Sequence, residues 1–355
     1  MDINKPIRLC EATAWRSYLG GSMIDEIHGR TGEDDHFPEE WILSTVVARN
    51  VGREDIVEGL SETPDGVSLK SIIENDPEGT LGKAHFEKYG ATPGVLLKLL
   101  DSAQRLLVQV HPTKDAAKKL FNSAFGKTEC WHIVKCRELD GETPCVYLGF
   151  KEGVTREHWI DCFNKQDIPE MLNCLHRFDV APGETYLICG GVPHAIGKGC
   201  FLVEIQEPTD YTIRTERKNP NGTIAPDAAC HQGIGFEKMF DCFNYQGYSF
   251  EETAKKWRIE PQTENFDGYT VSEVIGYRDT PMFKLEVIDI EKNRECKIAS
   301  NGVFSGLYIL YGNGTVGGEA VVGGDQFFLS AECETFKVTA GNEPVRALRF
   351  YGPKL

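Results

Sequence analysis

The sequence contains no long hydrophobic run. No stretch of about 18 consecutive apolar residues, the length needed to cross a bilayer, occurs in the 355 residues. The start of the chain, MDINKPIRLCEATAW, also lacks the apolar core of a signal peptide. We therefore expect no membrane segment and a cytoplasmic location.

Positive charge is scarce. The chain has 38 Lys and Arg against 54 Asp and Glu, so its formal net charge is −16. Proteins that bind nucleic acid or anionic membranes are normally basic, because neutralising phosphates supplies most of that affinity. Nucleic acid and membrane partners are therefore excluded, and an anionic small substrate would need a local basic pocket.

Sequence signatures of disulfides and nucleotide binding are also missing. None of the twelve cysteines forms a C-x-x-C pair, so we expect reduced thiols, most of them buried as small hydrophobic residues. The run 312–317 fits G-x-G-x-x-G, but no helix pattern follows it to hold a pyrophosphate. It is interpreted as a β-hairpin turn, and Gly197-Lys198-Gly199 is too short for a phosphate loop.

The residues that are present predict a mainly β protein. Its length suggests two or three domains or one large β structure with insertions, and 41% hydrophobic residues suffice for a core. Short alternating runs closed by Gly, Asn, Asp or Pro dominate after residue 176 and favour a sandwich or barrel. Strands are also predicted at 42–47, 128–135 and 144–150, and on both sides of an Asp101-Ser102 turn. Helices are predicted at 68–89 with a break near Asp76-Pro77, at 113–121, and at 155–175 with Thr155 as N-cap.

A candidate metal site begins at Gln109 and His111. Residues two apart on a strand point to the same face, and buried polar groups on so apolar a strand need a partner. Glu129, at the start of a strand, and His194, on a turn between strands, could complete the set. Together these side chains form a mixed nitrogen and oxygen set that suits Zn²⁺. From spacing alone, hydrogen-bonded structural residues remain an equally available interpretation.

A second pattern places Glu204 and Gln206 on one strand face, opposite Val203 and Ile205. Arg214 follows ten residues after Glu204. The pair could form a buried salt bridge, or a general base beside a phosphate clamp. Both interpretations stay open on the pattern alone. The remaining histidines have no metal-like spacing and are interpreted as structural or surface residues: His28, His36, His85, His132, His158, His176 and His231.

Four segments together resemble class I mannose-6-phosphate isomerases in their shorter bacterial form. These segments are LLVQVHPTKD, GKTECWHIV, GGVPHAIGKG and FLVEIQEPTDYTIR, and AWRSYLGG and EEWILS near the start are also similar to that family. The resemblance implies a double cupin of two jelly-roll β-barrels. In it, residues 1–67 and 91–235 form a zinc-binding barrel with helical insertions at about 68–90 and 155–175. Residues 236–355 form a second, smaller barrel.

The resemblance also implies the chemistry. It matches Gln109, His111, Glu129 and His194 to the ligands of one zinc ion. It matches Lys127, Glu204 and Arg214 to active-site positions. The implied reaction interconverts mannose 6-phosphate and fructose 6-phosphate by proton transfer between neighbouring carbons. Glu204 or Lys127 would move the proton, and Arg214 would bind the phosphate.

The chain departs from the family after Glu204, where E-I-Q-Q-x-S-D-x-T-Y-R is usual and EIQEPTDYTIR is found. A carboxylate from Glu207 beside the phosphate would be unfavourable, so this departure favours a related zinc cupin isomerase for another sugar or sugar phosphate. A sugar-binding cupin without catalysis is a further alternative. An iron or manganese cupin dioxygenase fits less well, because Gln109 stands where a first histidine is usual.

Overall fold

The protein is mainly β, with helices inserted between strands. The structure is a computed structural model that describes residues 2–220 and 222–355. The strands are β1 Ile7–Leu9, β2 Thr13–Ala14, β3 Glu39–Ile42, β4 Leu96–Ser102, β5 Gln109–Val110, β6 Glu129–Cys136, β7 Cys145–Phe150, β8 Leu175–Asp179, β9 Thr185–Ile188, β10 His194–Ile196, β11 Cys200–Gln206, β12 Ile213–Arg214, β13 Arg258–Ile259, β14 Gln262–Phe266, β15 Tyr269–Ile275, β16 Lys284–Ile290, β17 Glu295–Ile298, β18 Ser305–Tyr311, β19 Asn313–Val316, β20 Glu319–Val322, β21 Gln326–Leu329, β22 Phe336–Ala340 and β23 Val345–Tyr351. The helices are α1 Ser22–Ile27, α2 Leu69–Asn75, α3 Pro77–Leu81, α4 Lys83–Tyr89, α5 Lys114–Phe121, α6 Arg156–Lys165, α7 Ile168–Asn173, α8 Asp227–His231, α9 Phe236–Met239 and α10 Phe250–Trp257, with a 3-10 turn at Phe240–Cys242. The predicted mainly β fold with helical insertions is confirmed.

The helix predictions hold because their end signals are local. Asp76 ends α2 and its side chain accepts the backbone N–H of Gly79, which opens α3. Thr113 and Thr155 cap α5 and α6 by accepting N–H groups three residues further on. Each cap satisfies a backbone donor that the helix itself leaves free.

The strands form antiparallel sheets. A five-stranded sheet has the order β12-β5-β10-β7-β8, and a seven-stranded sheet has the order β13-β9-β6-β11-β4-β3-β2. A second seven-stranded sheet has the order β1-β21-β18-β23-β16-β15-β14, and a four-stranded sheet has the order β17-β22-β19-β20. The first strand, β1, therefore pairs with the C-terminal half of the chain, and β13 pairs back onto β9.

Three apolar layers separate these four sheets. Trp131 and Leu202 of the first seven-stranded sheet pack with Leu148 of the five-stranded sheet. The opposite face of the same sheet, with Val203 and Ile205, packs against the second seven-stranded sheet. A third layer joins that sheet to the four-stranded one. Alternation along β11 thus buries the odd-numbered side chains in one layer and leaves Glu204 and Gln206 on the other face, as predicted.

Two strand predictions are wrong in position. The strand expected over 42–47 ends at Ile42, because Leu43 takes a positive φ of 56° that breaks the extended backbone. The turn expected at Asp101-Ser102 is instead the end of β4. The Asp101 carboxylate accepts the backbone N–H groups of Gly21 and Met23, so a partner from outside the strand satisfies it.

Three features discussed from composition can be located in the structure. The run 312–317 is only in part the hairpin turn that was predicted: Asn313–Val316 form β19, and the turn to β20 lies at Gly317 and Gly318, both with positive φ. All twelve cysteines lie among the described residues and are free thiols, most of them buried. Within residues 2–220 and 222–355, no helix combines the length and hydropathy needed to cross a membrane.

Candidate metal centre and adjoining cleft

His111, Glu129 and His194 meet in the interior between the five-stranded and seven-stranded sheets. Their side chains are fully buried. His111 Nε2 lies 3.1 Å from Glu129 Oε2, and His194 Nε2 lies 3.5 Å from Glu129 Oε1. One ligand atom from each residue fits within 4.8 Å of the others, close enough to share one ion.

Hydrogen bonds to the main chain set the tautomer of both histidines. The Nδ1 atoms lie 2.8 Å from the carbonyl oxygen of Tyr211 and 2.9 Å from that of Val192. Carbonyl oxygens only accept, so each Nδ1 carries the proton and each neutral ring presents an Nε2 lone pair to Glu129. Burial lowers the pKa of His111 to about 4 and also lowers that of His194, so both rings stay neutral at neutral pH.

Acceptor atoms therefore face acceptor atoms in this group. Glu129 Oε2 is buried and has no hydrogen-bond partner among the described residues. Burial acts to raise the pKa of Glu129, but the charge of Lys127 and the contact with His111 hold it well below its usual range. Lys127 supplies one positive charge to this carboxylate, and the N/O donor set of the three residues also fits Zn²⁺.

Two further predicted residues complete this group. The Gln109 side chain points to His194, with 3.3 Å between the Gln109 and His194 Nε2 atoms. Rotating the terminal amide would bring its oxygen to the same place. Lys127 Nζ lies 3.0 Å from His111 Nε2 and 3.1 Å from Glu129 Oε2, so its ammonium group supplies one positive charge. The structure thus brings together Gln109, His111, Lys127, Glu129 and His194.

The side chain of Trp131 links Glu204 to this group. The indole N–H of Trp131 lies 3.0 Å from Glu129 Oε1 and 3.1 Å from Glu204 Oε2, so it bridges the two carboxylates. The other Glu204 oxygen accepts from Lys98 Nζ at 3.1 Å. Lys98 is in turn 3.7 Å from Glu39. The Glu204 carboxylate is therefore fixed on both sides inside the protein.

Arg214 lies outside this interior group and lines a cleft of about 920 Å³. Its main chain pairs with Gln109 in the sheet, and its Nη1 donates to the carbonyl oxygen of Ala229 at 3.0 Å. Asp210 and Tyr211 line the same cleft. The carbonyl of Tyr211 accepts from His111, so a residue that lines the cleft also contacts the candidate metal centre.

The structure corrects the expectation about Glu207. Its side chain is buried, and its carboxylate accepts the backbone N–H groups of Gly126 at 3.2 Å and Thr128 at 2.9 Å. It therefore points away from the cleft and holds the loop that carries Lys127. Gly126 is required there, because an added Cβ would lie 2.8 Å from the carbonyl oxygen of Pro112.

Sequence reasoning missed the buried charges that support Glu204. Arg16 Nε donates to Glu39 Oε1 at 2.8 Å, and Arg16 Nη2 lies 3.5 Å from Asp210 at the cleft. The charges of Arg16 and Lys98 hold the pKa of Glu39 well below its usual range, against the effect of burial. One signal was available: Lys98 is a single charge in the otherwise apolar run Val95–Leu100, and such a charge needs a buried partner.

Fold and site together define a β-sheet protein with a candidate metal centre next to an open cleft. No protein-family model matches the chain. Among curated proteins, it is 36% identical over 151 residues to the probable mannose-6-phosphate isomerase GmuF of Bacillus subtilis, which covers 39% of this chain and 44% of GmuF. It is 34% identical over 151 residues to the mannose-6-phosphate isomerase ManA of the same organism, covering 41% of this chain and 45% of ManA. The chain thus matches less than half the length of these two relatives.

Solved structures extend the likeness to the whole fold. The crystal structure of the Bacillus subtilis mannose 6-phosphate isomerase superposes with a TM-score of 0.75 and 22% identity, over 98% of this chain and 99% of that one. A zinc-bound mannose 6-phosphate isomerase superposes with a TM-score of 0.72 and 15% identity, over 99% and 100%. At this identity the superpositions show a shared fold. With the curated relatives, they confirm the resemblance to class I mannose-6-phosphate isomerases that the motifs indicate.

Proposed function

We propose that this protein is a zinc-dependent aldose–ketose isomerase that interconverts mannose 6-phosphate and fructose 6-phosphate. The observation that carries the proposal is the buried group His111, Glu129 and His194, whose nitrogen lone pairs and carboxylate converge as a donor set for one cation. The names of the curated relatives support the substrate and the reaction.

In this proposal Gln109, His111, Glu129 and His194 hold one Zn²⁺. When bound, zinc polarises the sugar oxygens and stabilises the negative charge that develops as a proton leaves the carbon beside the carbonyl. The main-chain hydrogen bonds of the two histidines would keep the rings oriented toward the ion.

Proton transfer is assigned to Glu204 or Lys127. Lys127 is supported by its place beside Glu129, within 3.1 Å of the carboxylate. Glu204 is supported by the donors Lys98 and Trp131, which hold its carboxylate in place. Turnover of Lys127→Met and Glu204→Gln separates the two assignments, because loss of the proton carrier lowers kcat about 100-fold or more.

Substrate binding is assigned to the cleft. Arg214 would pair with the phosphate by two parallel hydrogen bonds, as guanidinium groups do with phosphates. The protein has a net charge of −16, so this local cation matters for an anionic substrate. Because Glu207 is turned away from the cleft, the reason to favour another sugar phosphate over mannose 6-phosphate is weakened.

The proposal includes the double-cupin organisation and a cytoplasmic location. The zinc barrel would comprise 1–67 and 91–235, and the smaller barrel 236–355. The two barrels would exchange short strands, since β1 pairs with β21 and β13 with β9. Twelve free thiols support a reducing compartment.

The deciding experiment is a coupled assay for fructose 6-phosphate with purified protein, before and after chelation and after zinc is restored. Turnover that disappears on chelation and returns with zinc supports the proposal. Metal-replete protein that turns over no mannose 6-phosphate would refute the substrate assignment. Turnover of other phosphorylated or free aldoses by that protein would select the related isomerase, and binding of sugars without turnover would select the non-catalytic cupin.

A further inference from the structure

Two neighbouring helices each present a pair of metal-binding side chains one turn apart. Helix α6 carries His158 and Cys162, and α7 with its C-cap carries Glu170 and Cys174. Residues four apart lie on the same face of a helix. His158, Cys162 and Cys174 converge at the contact between α6 and α7, and Glu170 contacts His158 there.

Three of these groups are close enough to share a single ion. His158 Nε2 is 3.8 Å from Cys162 Sγ and 3.0 Å from Glu170 Oε1. One ligand atom each from His158, Cys162 and Cys174 fits within 4.8 Å. Tetrahedral zinc would place a nitrogen and a sulfur ligand about 3.6 Å apart, and two sulfurs about 3.8 Å apart. The 3.8 Å between His158 Nε2 and Cys162 Sγ is close to that value, and Cys174 would move inward on binding.

The two cysteines are buried, whereas the histidine and the glutamate are partly exposed. Cys162 and Cys174 belong to the apolar cluster below the helices. The side chains of His158 and Glu170 are 43% and 37% exposed, so an ion could enter directly from solvent. An ordinary surface ion pair between His158 and Glu170 would account for those two residues. It would leave unexplained why two cysteines from different helices point at the same histidine.

We propose that His158, Cys162 and Cys174 form a second metal site, which takes Zn²⁺ or another thiophilic divalent ion and fastens α6 to α7. Glu170, 3.0 Å from His158, would turn toward the ion as a fourth ligand, and four protein ligands are typical of a structural zinc site. The interpretation of His158 from sequence as a structural or surface residue missed this grouping, because the ligands come together only when the two helices pack. The site does not depend on the proposed isomerase activity.

Sulfur ligation makes the site testable separately from the first one. Gln109, His111, Glu129 and His194 offer only nitrogen and oxygen, so a Co²⁺ ion bound there gives no thiolate-to-cobalt charge-transfer band. Reduced wild-type protein loaded with Co²⁺ should show that band in the near ultraviolet. Cys162→Ser should abolish it, and His158→Ala should weaken it at limiting cobalt.

Matched variants and metal content complete the test. His231→Ala removes a histidine from another helix and should keep the full band, as should Glu129→Gln, which changes only the first site. Zinc-loaded Cys162→Ser should hold one equivalent of zinc less per chain than wild type. His158 is on the surface, so His158→Ala should keep the far-ultraviolet circular dichroism of the wild type even if Cys162→Ser misfolds.

Three results would overturn the proposal. The first is reduced, folded wild-type protein that shows no charge-transfer band with Co²⁺. The second is a band of full strength at limiting cobalt in folded His158→Ala. The third is equal zinc content in wild type and folded Cys162→Ser. A protein that shows the band but turns over no sugar phosphate would support this site and count against the isomerase proposal alone.

Discussion

Replacing Lys98 by methionine should destabilise the protein strongly while removing little packing volume. The Lys98 side chain is 3% exposed, and its ammonium lies 3.1 Å from Glu204 and 3.7 Å from Glu39. At an effective dielectric constant of about 20, the attraction to a charge at 3.1 Å is about 5 kcal/mol. The cost of burying the ammonium offsets much of that gain, but removing it leaves Glu204 as an uncompensated buried charge. Breaking a buried pair in this way costs about 3–5 kcal/mol.

Urea unfolding followed by circular dichroism measures this loss, given a fully reversible transition. Lys70→Met is the matched control, since Lys70 is 60% exposed and pairs with Glu74 at 3.8 Å on a helix surface. That change should cost no more than about 0.5 kcal/mol. Adding Glu204→Gln to Lys98→Met should recover part of the loss, because a neutral amide needs no counter-charge. A loss below about 1 kcal/mol for Lys98→Met would refute the reasoning that this buried charge pair supports the site.

Three further changes test other parts of the network. Trp131→Phe removes the N–H that Glu129 and Glu204 share. It should lower the free energy of unfolding by about 1.5–3 kcal/mol and should also reduce the amount of zinc retained after dialysis. An unchanged urea midpoint and zinc content would contradict the bridging role. Glu207→Gln keeps one acceptor oxygen for the backbone of the 126–128 loop and loses the other. It should lower the free energy of unfolding, measured with urea, by about 1–2 kcal/mol, and it should lower kcat more than it changes KM. An unchanged kcat would show that this loop does not act in catalysis. The pKa of Glu39 is lowered on folding, so its contribution to stability is present above its unfolded value near 4.5 and is lost as pH falls below that value. Glu39→Gln should therefore be less stable than wild type at neutral pH. Between pH of about 5 and 3, the free energy of unfolding should fall less in Glu39→Gln than in wild type. Parallel pH curves of the two proteins would show that Glu39 does not contribute.

The local sequence was enough to predict most helices and strands. Asp76, Thr113 and Thr155 each hydrogen-bond within three residues, so their caps need no information from the rest of the chain. Alternation along β11 likewise assigns Glu204 and Val203 to opposite faces whatever packs on them. The local pattern misled at Asp101, which remains in its strand because residues about eighty positions earlier satisfy its carboxylate.

The residue types at the candidate centre could also be predicted, because the resemblance aligned His111, Glu129 and His194 with a ligand set. Their charge environment could not. Lys98 is an isolated charge in sequence, and only the pairing of β4 with β11 and β3 places it between Glu204 and Glu39. The direction of the Glu207 carboxylate likewise depended on the main chain of a loop about eighty residues away.

The sequence by itself determined most of the strands and helices and the donor groups that the chain offers, because backbone periodicity and side-chain chemistry act over a few residues. The tertiary structure alone decided which charges are paired, which carboxylate faces the cleft, and that two helices bring His158 and Glu170 to two cysteines. Electrostatic energies change by several kcal/mol over a few ångströms in a buried site, and such distances are set by packing between elements far apart in sequence.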